Sequence, residues 1–376
     1  MVRYISFSPY FSGLVNIIMS YEMFLAIAAI TKRKVILPPD CWMLFLSASQ
    51  EKDDWIDFWE IFDKDVLLEE FDCIEHDDVP EFQEILDDME GERSYTENIG
   101  ECDLDLAEIF FESTTVSDEH TVFVNEKIDT KDFRDFCHDR TVMELDCDEQ
   151  FMHFENNLFG HFWYHVYPGG ENLRNILKDK INRVMRYNQK FYYYADVVKQ
   201  QLGEYNSIHV RRNDFLEARK DDIACMNAPE KIVEMVERLS FNDKTLPLYI
   251  ATDEQDRSFF DLLSEKYDIY FYEDFDYEDF EDDDLYIAVL EQTICSQSEN
   301  FFGTYLSTFS KRINIMRGLE GRQAEDHLGI NHLPDAPDEN LTDVFPWRRM
   351  PDNTWQWNSS SHLQWMHEEN GKLVEI

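Results

Sequence analysis

Short β-branched runs separated by helix-length segments recur through this sequence, and that alternation admits little besides an α/β fold. Arg3–Ser8 predicts a buried strand, residues from about Asn16 to Thr31 a mostly buried helix, and Lys34–Leu37 a second strand stopped by Pro38-Pro39. This order is a βαβ unit, whose crossover should be right-handed. The second half repeats the rhythm. Helices are expected over Asn172–Arg186, Lys190–Leu202, Pro229–Leu239, Phe259–Lys266 and Leu285–Ser296, and from Ser307 to about Arg317. Strands are expected from Ser207, over Leu246–Ala251 and Ile269–Tyr272, and at Asn300–Phe302. A chain of 376 residues has room for two domains of ordinary size.

The stretch that points to chemistry is Ser207–Phe215, SIHVRRNDF. Period-two alternation puts His209 and Arg211 on one face and Val210 and Arg212 on the other. A strand ending in His-x-Arg delivers an imidazole and a guanidinium to the carboxyl edge of a sheet, where open α/β sheets bind ligands. The planar, permanently charged fork of arginine suits phosphate. The chain carries 79 acidic and 34 basic residues, a net charge of −45. Such a field disfavours nucleic acid and anionic membrane surfaces as partners. Two adjacent arginines in it are either paired to surface carboxylates or set aside for an anionic ligand. Gly13 and Asn16 fall at one helix start and Ser307-Thr308-Phe309-Ser310 at another. Backbone N–H groups there can hold an anion, although Ser and Thr are also ordinary caps.

Other segments exclude more than they assign. Residues 50–150 alternate acidic clusters with Phe, Trp and Ile, and read as solvated helices with one apolar face. The cysteines at 41, 73, 102, 137, 147, 225 and 295 form no CxxC pair, which argues against a disulfide framework and a zinc ribbon. No P-loop signature and no metal-ligand spacing is present. No apolar run is long enough to span a bilayer, and the opening MVRYISFSPY reads as a strand, so a cytoplasmic chain is expected. The tail after Pro334, with Trp347, Trp355, Trp357 and Trp365, is expected to dock back on the body.

Four stretches, SGLVN…KVILPP, SIHVRRNDF, LYIATDE and AVLEQTICSQSENFFGTYLSTFSKRI, stand in one order. In that order they resemble the GDP-fucose protein O-fucosyltransferase family, over residues 1–40 and roughly 175–318. HVRR alone is shared with fucosyltransferases that modify glycans; GTYLSTFS is more specific. The resemblance implies a GT-B-type glycosyltransferase with two facing Rossmann-like domains. Residues 1–195 would form an acceptor-side domain with an acidic helical insertion, 196–335 the GDP-fucose side, and 336–376 a tail. Catalysis would be inverting and metal-independent, with GDP-β-L-fucose as donor and no cofactor. The acceptor would be a Ser or Thr of a protein. The alternatives are a glycan acceptor, or a nucleotide-sugar-binding protein without catalysis, against which the retention of Arg211 argues.

The same resemblance implies residue roles. Arg211 matches the arginine that holds the β-phosphate, flanked by His209 and Asp214. Asp253 matches a nucleotide-side aspartate, and a carboxylate can accept from guanine N1–H and N2–H together. Ser307, Thr308 and Phe309 match the element at the phosphates and guanine. Gly13 and Asn16 match the donor loop. Capping roles for Asp253, Ser307 and Thr308, and a satisfied strand-end His209, remain open alternatives. Some family members carry a Glu in the donor loop as general base. Residues 9–20 contain no carboxylate, the nearest being Glu22, so Asn16 is expected to orient the reactants instead.

Overall fold

Two separate sheets, one in each half of the chain, carry the architecture. The computed structural model describes residues 2–7, 13–37, 41–42, 55–75, 78–79, 114–116, 121–124, 151–154, 171–213, 215–218, 228–238, 243–280, 283–304, 307–320, 327–328, 347–349, 355–357, 366–369 and 372–375. The chain divides into one unit of residues 1–188 with 364–376 and a second of 189–363. Among the described residues no helix is long and apolar enough to cross a membrane.

In the first unit β1 (Tyr4–Phe7), β2 (Lys34–Leu37), β5 (Cys73–Glu75), β6 (Thr114–Val116), β7 (Thr121–Val124) and β8 (Phe151–Phe154) form a sheet in the order β5-β2-β1-β8-β7-β6. All neighbours are parallel except the edge pair β6–β7. A separate antiparallel pair joins β3 (Cys41–Trp42) to β4 (Trp55–Ile56). Helix α1 (Leu14–Thr31) links β1 to β2 and is apolar nearly all round, with Ile17, Ile18, Tyr21, Phe24 and Leu25 fully buried. A helix without a polar face belongs in a core. It ends at Lys32, whose φ of 54° is left-handed. The ring of Tyr21 stacks on Phe58 at 4.1 Å, tying α1 to the following 3-10 turn.

The reading of residues 50–150 as solvated helices needs correction. Helix α2 (Lys64–Glu70) does bury only Leu67, as an amphipathic helix should. The same region, however, also supplies β5, β6 and β7 of the sheet. These strands are three or four residues long. Runs so short, set among acidic residues, leave no period to detect.

Helix α3 (Glu171–Val184) lies in the first unit, and α4 (Gln189–Leu202) opens the second. Phe191 of α4 meets the ring of Tyr286 edge-on at 5.7 Å, a contact within the second unit. The sheet is parallel throughout: β9 (Asn206–Val210), β10 (Leu248–Thr252), β11 (Ile269–Tyr270), β12 (Phe301–Thr304) and β13 (His327–Leu328), in the order β11-β10-β9-β12-β13. Short α5 (Phe215–Ala218) follows β9. One face presents Ile208, Val210, Leu248, Ile250 and Phe302. It packs on Ile232, Val233 and Val236 of α6 (Pro229–Arg238), and on Phe259, Phe260 and Leu263 around α7 (Asp261–Ser264). The other face presents Ser207, His209 and Gly303 to α8 (Asp284–Gln297) and α9 (Thr308–Leu319). In the tail, β14 (Trp347–Arg349) pairs with β15 (Trp355–Trp357) and β16 (Met366–Glu369) with β17 (Lys372–Glu375).

Candidate functional site

In the second sheet the strand order turns back between β9 and β12. At such a point the connections leaving the carboxyl ends diverge to opposite faces and open a crevice for a ligand. Every candidate of this unit that the structure describes lies at that edge or in the helix that follows it.

Alternation along β9 continues beyond the strand and separates the two arginines. Arg212 follows the Val210 face. Its guanidinium lies 3.6 Å over the ring of Phe259, and its Nε donates to Glu254 Oε2 at 2.6 Å. It is built into the edge of the core. Arg211 follows the His209 face. Its backbone N–H donates to Thr304 Oγ1 at 2.8 Å, and that hydroxyl donates to the His209 carbonyl at 2.7 Å. Its Nε stands 3.5 Å from Asp253 Oδ2, and its guanidinium 5.2 Å from the Phe215 ring.

His209 is buried, with Nδ1 2.7 Å from Ser310 Oγ and its ring 4.5 Å from that of Phe309. Burial, and then the charge of Arg211, push its pKa down to about 3. The imidazole is therefore neutral near pH 7 and offers hydrogen bonding and stacking, not charge. The contact to Ser310 depends on Gly303. A Cβ there would stand 2.5 Å from Ser310 Oγ and closer still to its Cβ. Only glycine lets β12 approach α9 so closely.

Ser307 is the N-cap of α9 but makes no side-chain capping bond, and the first turn carries no acid. Its hydroxyl is buried and has no hydrogen-bond partner among the described residues. A buried hydroxyl without a partner is costly unless something occupies it. It sits where backbone N–H groups and the helix dipole favour an anion. Thr308 and Phe309 follow in the same turn, both partly buried.

Asp253 lies at the end of β10, where Oδ1 accepts the backbone N–H of Arg212 at 2.7 Å. Sequence reasoning missed Glu291 of α8. Burial, then the Glu273 carboxylate, push its carboxyl up to about 8, while Arg257 and a backbone hydrogen bond from Thr252 pull the other way. An acid in a helix reads as solvated, and nothing local signals that this one lies against the end of β10. Asp214 lies outside the described residues. Gly13 and Asn16 belong to the first unit, where the Gly13 carbonyl accepts from the N–H groups of Asn16 and Ile17 at 3.0 and 3.2 Å. Glu22 is fully buried within α1. Among the described residues no group of three His, Cys, Asp or Glu side chains could hold a metal ion.

Comparison with known proteins places this edge in context. The profile of the family described as GDP-fucose protein O-fucosyltransferase matches residues 4–320. GDP-fucose protein O-fucosyltransferase 2 of Caenorhabditis elegans is 31% identical over 123 residues, 32% of this chain. The Homo sapiens protein of the same name is 27% identical over 123 residues. Each match spans 27% of the relative's length. A crystal structure of POFUT1 in complex with GDP-fucose aligns over 88% of this chain and 99% of its own, at a TM-score of 0.50 and 13% identity. That likeness shows the fold, an α/β architecture of the GT-B type.

Proposed function

The chain belongs to the GDP-fucose protein O-fucosyltransferase family, and from that premise we propose that it moves L-fucose from GDP-β-L-fucose to an acceptor hydroxyl. The transfer inverts the anomeric carbon, needs no metal, and takes a Ser or Thr of a protein as acceptor. Two observations carry this reading: Arg211 is held at backbone and guanidinium, and the buried hydroxyl of Ser307, at a helix N-terminus, has no hydrogen-bond partner among the described residues. Departing GDP gathers negative charge on its β-phosphate. A preorganised guanidinium and helix N–H groups stabilise that charge most in the transition state. Thr308 and Phe309 extend the same anion-binding turn. His209, neutral, supports it through Ser310 and Phe309. Asn16 and Gly13 of the first unit are assigned the donor loop's share.

With no carboxylate in residues 9–20 and Glu22 buried, the acceptor proton leaves late in a dissociative step, to the departing phosphate or to water. The test incubates the protein with GDP-fucose and Ser/Thr-containing peptides or oligosaccharides, with and without EDTA, following GDP release and product mass. Fucosylated peptide formed equally in EDTA is the expected result. Product on oligosaccharide alone moves the acceptor to glycans. Thermal stabilisation by GDP-fucose without any turnover supports a binding protein instead.

A further inference from the structure

We propose that Asp253 is a positioning residue for Arg211 and does not read the nucleobase; this rests on the donor reading above and deepens it. Three successive residues converge on this aspartate. Oδ1 accepts the Arg212 backbone N–H at 2.7 Å, Oδ2 is 3.5 Å from Arg211 Nε, and the Asp253 carbonyl accepts from Asn213 Nδ2 at 3.0 Å. Its neighbours bind the same corner. Thr252 Oγ1 donates to the Val210 carbonyl at 2.7 Å, and Glu254 takes Arg212 Nε. From the opposite flank Thr304 holds the backbone of 209 and 211. The segment carrying Arg211 is thus fixed from both neighbouring strands, and Asp253 joins its backbone to its guanidinium.

Reading guanine would demand both carboxylate oxygens on one edge, facing N1–H and N2–H. In this geometry those oxygens face residues 211 and 212. Turning them away would give up a part-buried backbone bond and an ion pair together. Holding Arg211, by contrast, costs the donor nothing. A guanidinium has five N–H donors in a rigid fork, so a carboxylate at Nε sets its plane without precluding a phosphate on the Nη edge. A long side chain already ordered stabilises the leaving phosphate without reorganising during reaction.

Asp253→Asn keeps an acceptor for the Arg212 N–H and removes the charge beside Arg211. It should lower kcat about tenfold to a hundredfold, the cost of a slightly misplaced catalytic group. Affinity for GDP and for IDP should fall together, because both present the same terminal phosphate to Arg211. The preference for GDP over IDP, which lacks the 2-amino group, should be unchanged. Asp253→Ala, which also strips the Arg212 N–H of its acceptor, should lose more rate and keep the same preference. A collapse of the GDP-over-IDP preference in either variant, or unimpaired kcat in both, overturns the positioning role while leaving the donor reading intact. An unaltered protein with no measurable affinity for GDP or GDP-fucose overturns the donor reading itself.

Discussion

An arginine does most for a leaving phosphate when its plane is set before the donor arrives, and the two arginines after β9 differ in that respect. Arg211 is the one held towards the crevice side. Arg211→Ala should abolish transfer without lowering the melting temperature, and Arg211→Lys should fail too, because an ammonium cannot reproduce the fork. Arg212→Ala should instead cost about 2 kcal/mol of stability, from its stacking on Phe259 and its pair with Glu254. Denaturant midpoints and turnover of the three variants separate the roles; near-normal turnover in either Arg211 variant would remove Arg211 from the site. Glu291 makes a second residue-level prediction. Its carboxyl titrates at about 8 in the folded protein against an ordinary 4.5, so the folded state holds the extra proton between those values. Stability therefore falls as pH rises from about 4.5 to about 8. Glu291→Gln has no such proton, so its stability relative to the unaltered protein should improve from pH 5 to pH 8.5. A relative loss across that window would show that Glu291 is ionised when folded.

The β12–α9 junction is the element on which the candidate site turns. Gly303→Ala would drive a methyl group into Ser310, displace the first turn of α9 and break the Ser310–His209 contact. Overpacking of this kind costs about 1–3 kcal/mol. Adding Ser310→Gly should restore part of the lost melting temperature, though not the contact to His209; no recovery would mean that the clash is not the cause. The junction also shows what a sequence discloses. GT and STFS announce a strand end and a helix start, and the observed bounds, Phe301–Thr304 and Thr308–Leu319, fall within two residues of those expected. SIHV and LYIAT were legible for the same reason: β-branched runs bounded by polar turns. The short strands β5 to β8 were not, because they are fixed by lateral pairing to residues far along the chain. Nor was the grip of Asp253 on Arg211 and Arg212, which joins residues about forty positions apart. Local pattern reports strand ends; it does not report which neighbouring strand holds them.

At the scale of the whole molecule, the net charge of −45 opposes the approach of the anionic donor that the proposed function requires. The range of that opposition is set by salt. At about 0.01 M the Debye length is about 30 Å, so an incoming nucleotide diphosphate meets the field of most of the protein. At about 0.15 M it is about 8 Å, and the nucleotide responds only to its immediate surroundings, in the proposed site the charges around Arg211. Raising the salt removes distant repulsion first and local attraction last. The association rate of GDP should therefore rise with ionic strength over this range, the reverse of a ligand steered by opposite charge. The dissociation rate, governed in the proposed site by contacts at Arg211 and Ser307, should change much less. Stopped-flow association of a fluorescent GDP analogue, in sodium chloride from about 0.01 to about 0.15 M, measures both. An association rate that falls steadily with salt would mean that a basic crevice governs capture at every distance, and that the surplus acids lie on faces the nucleotide never approaches.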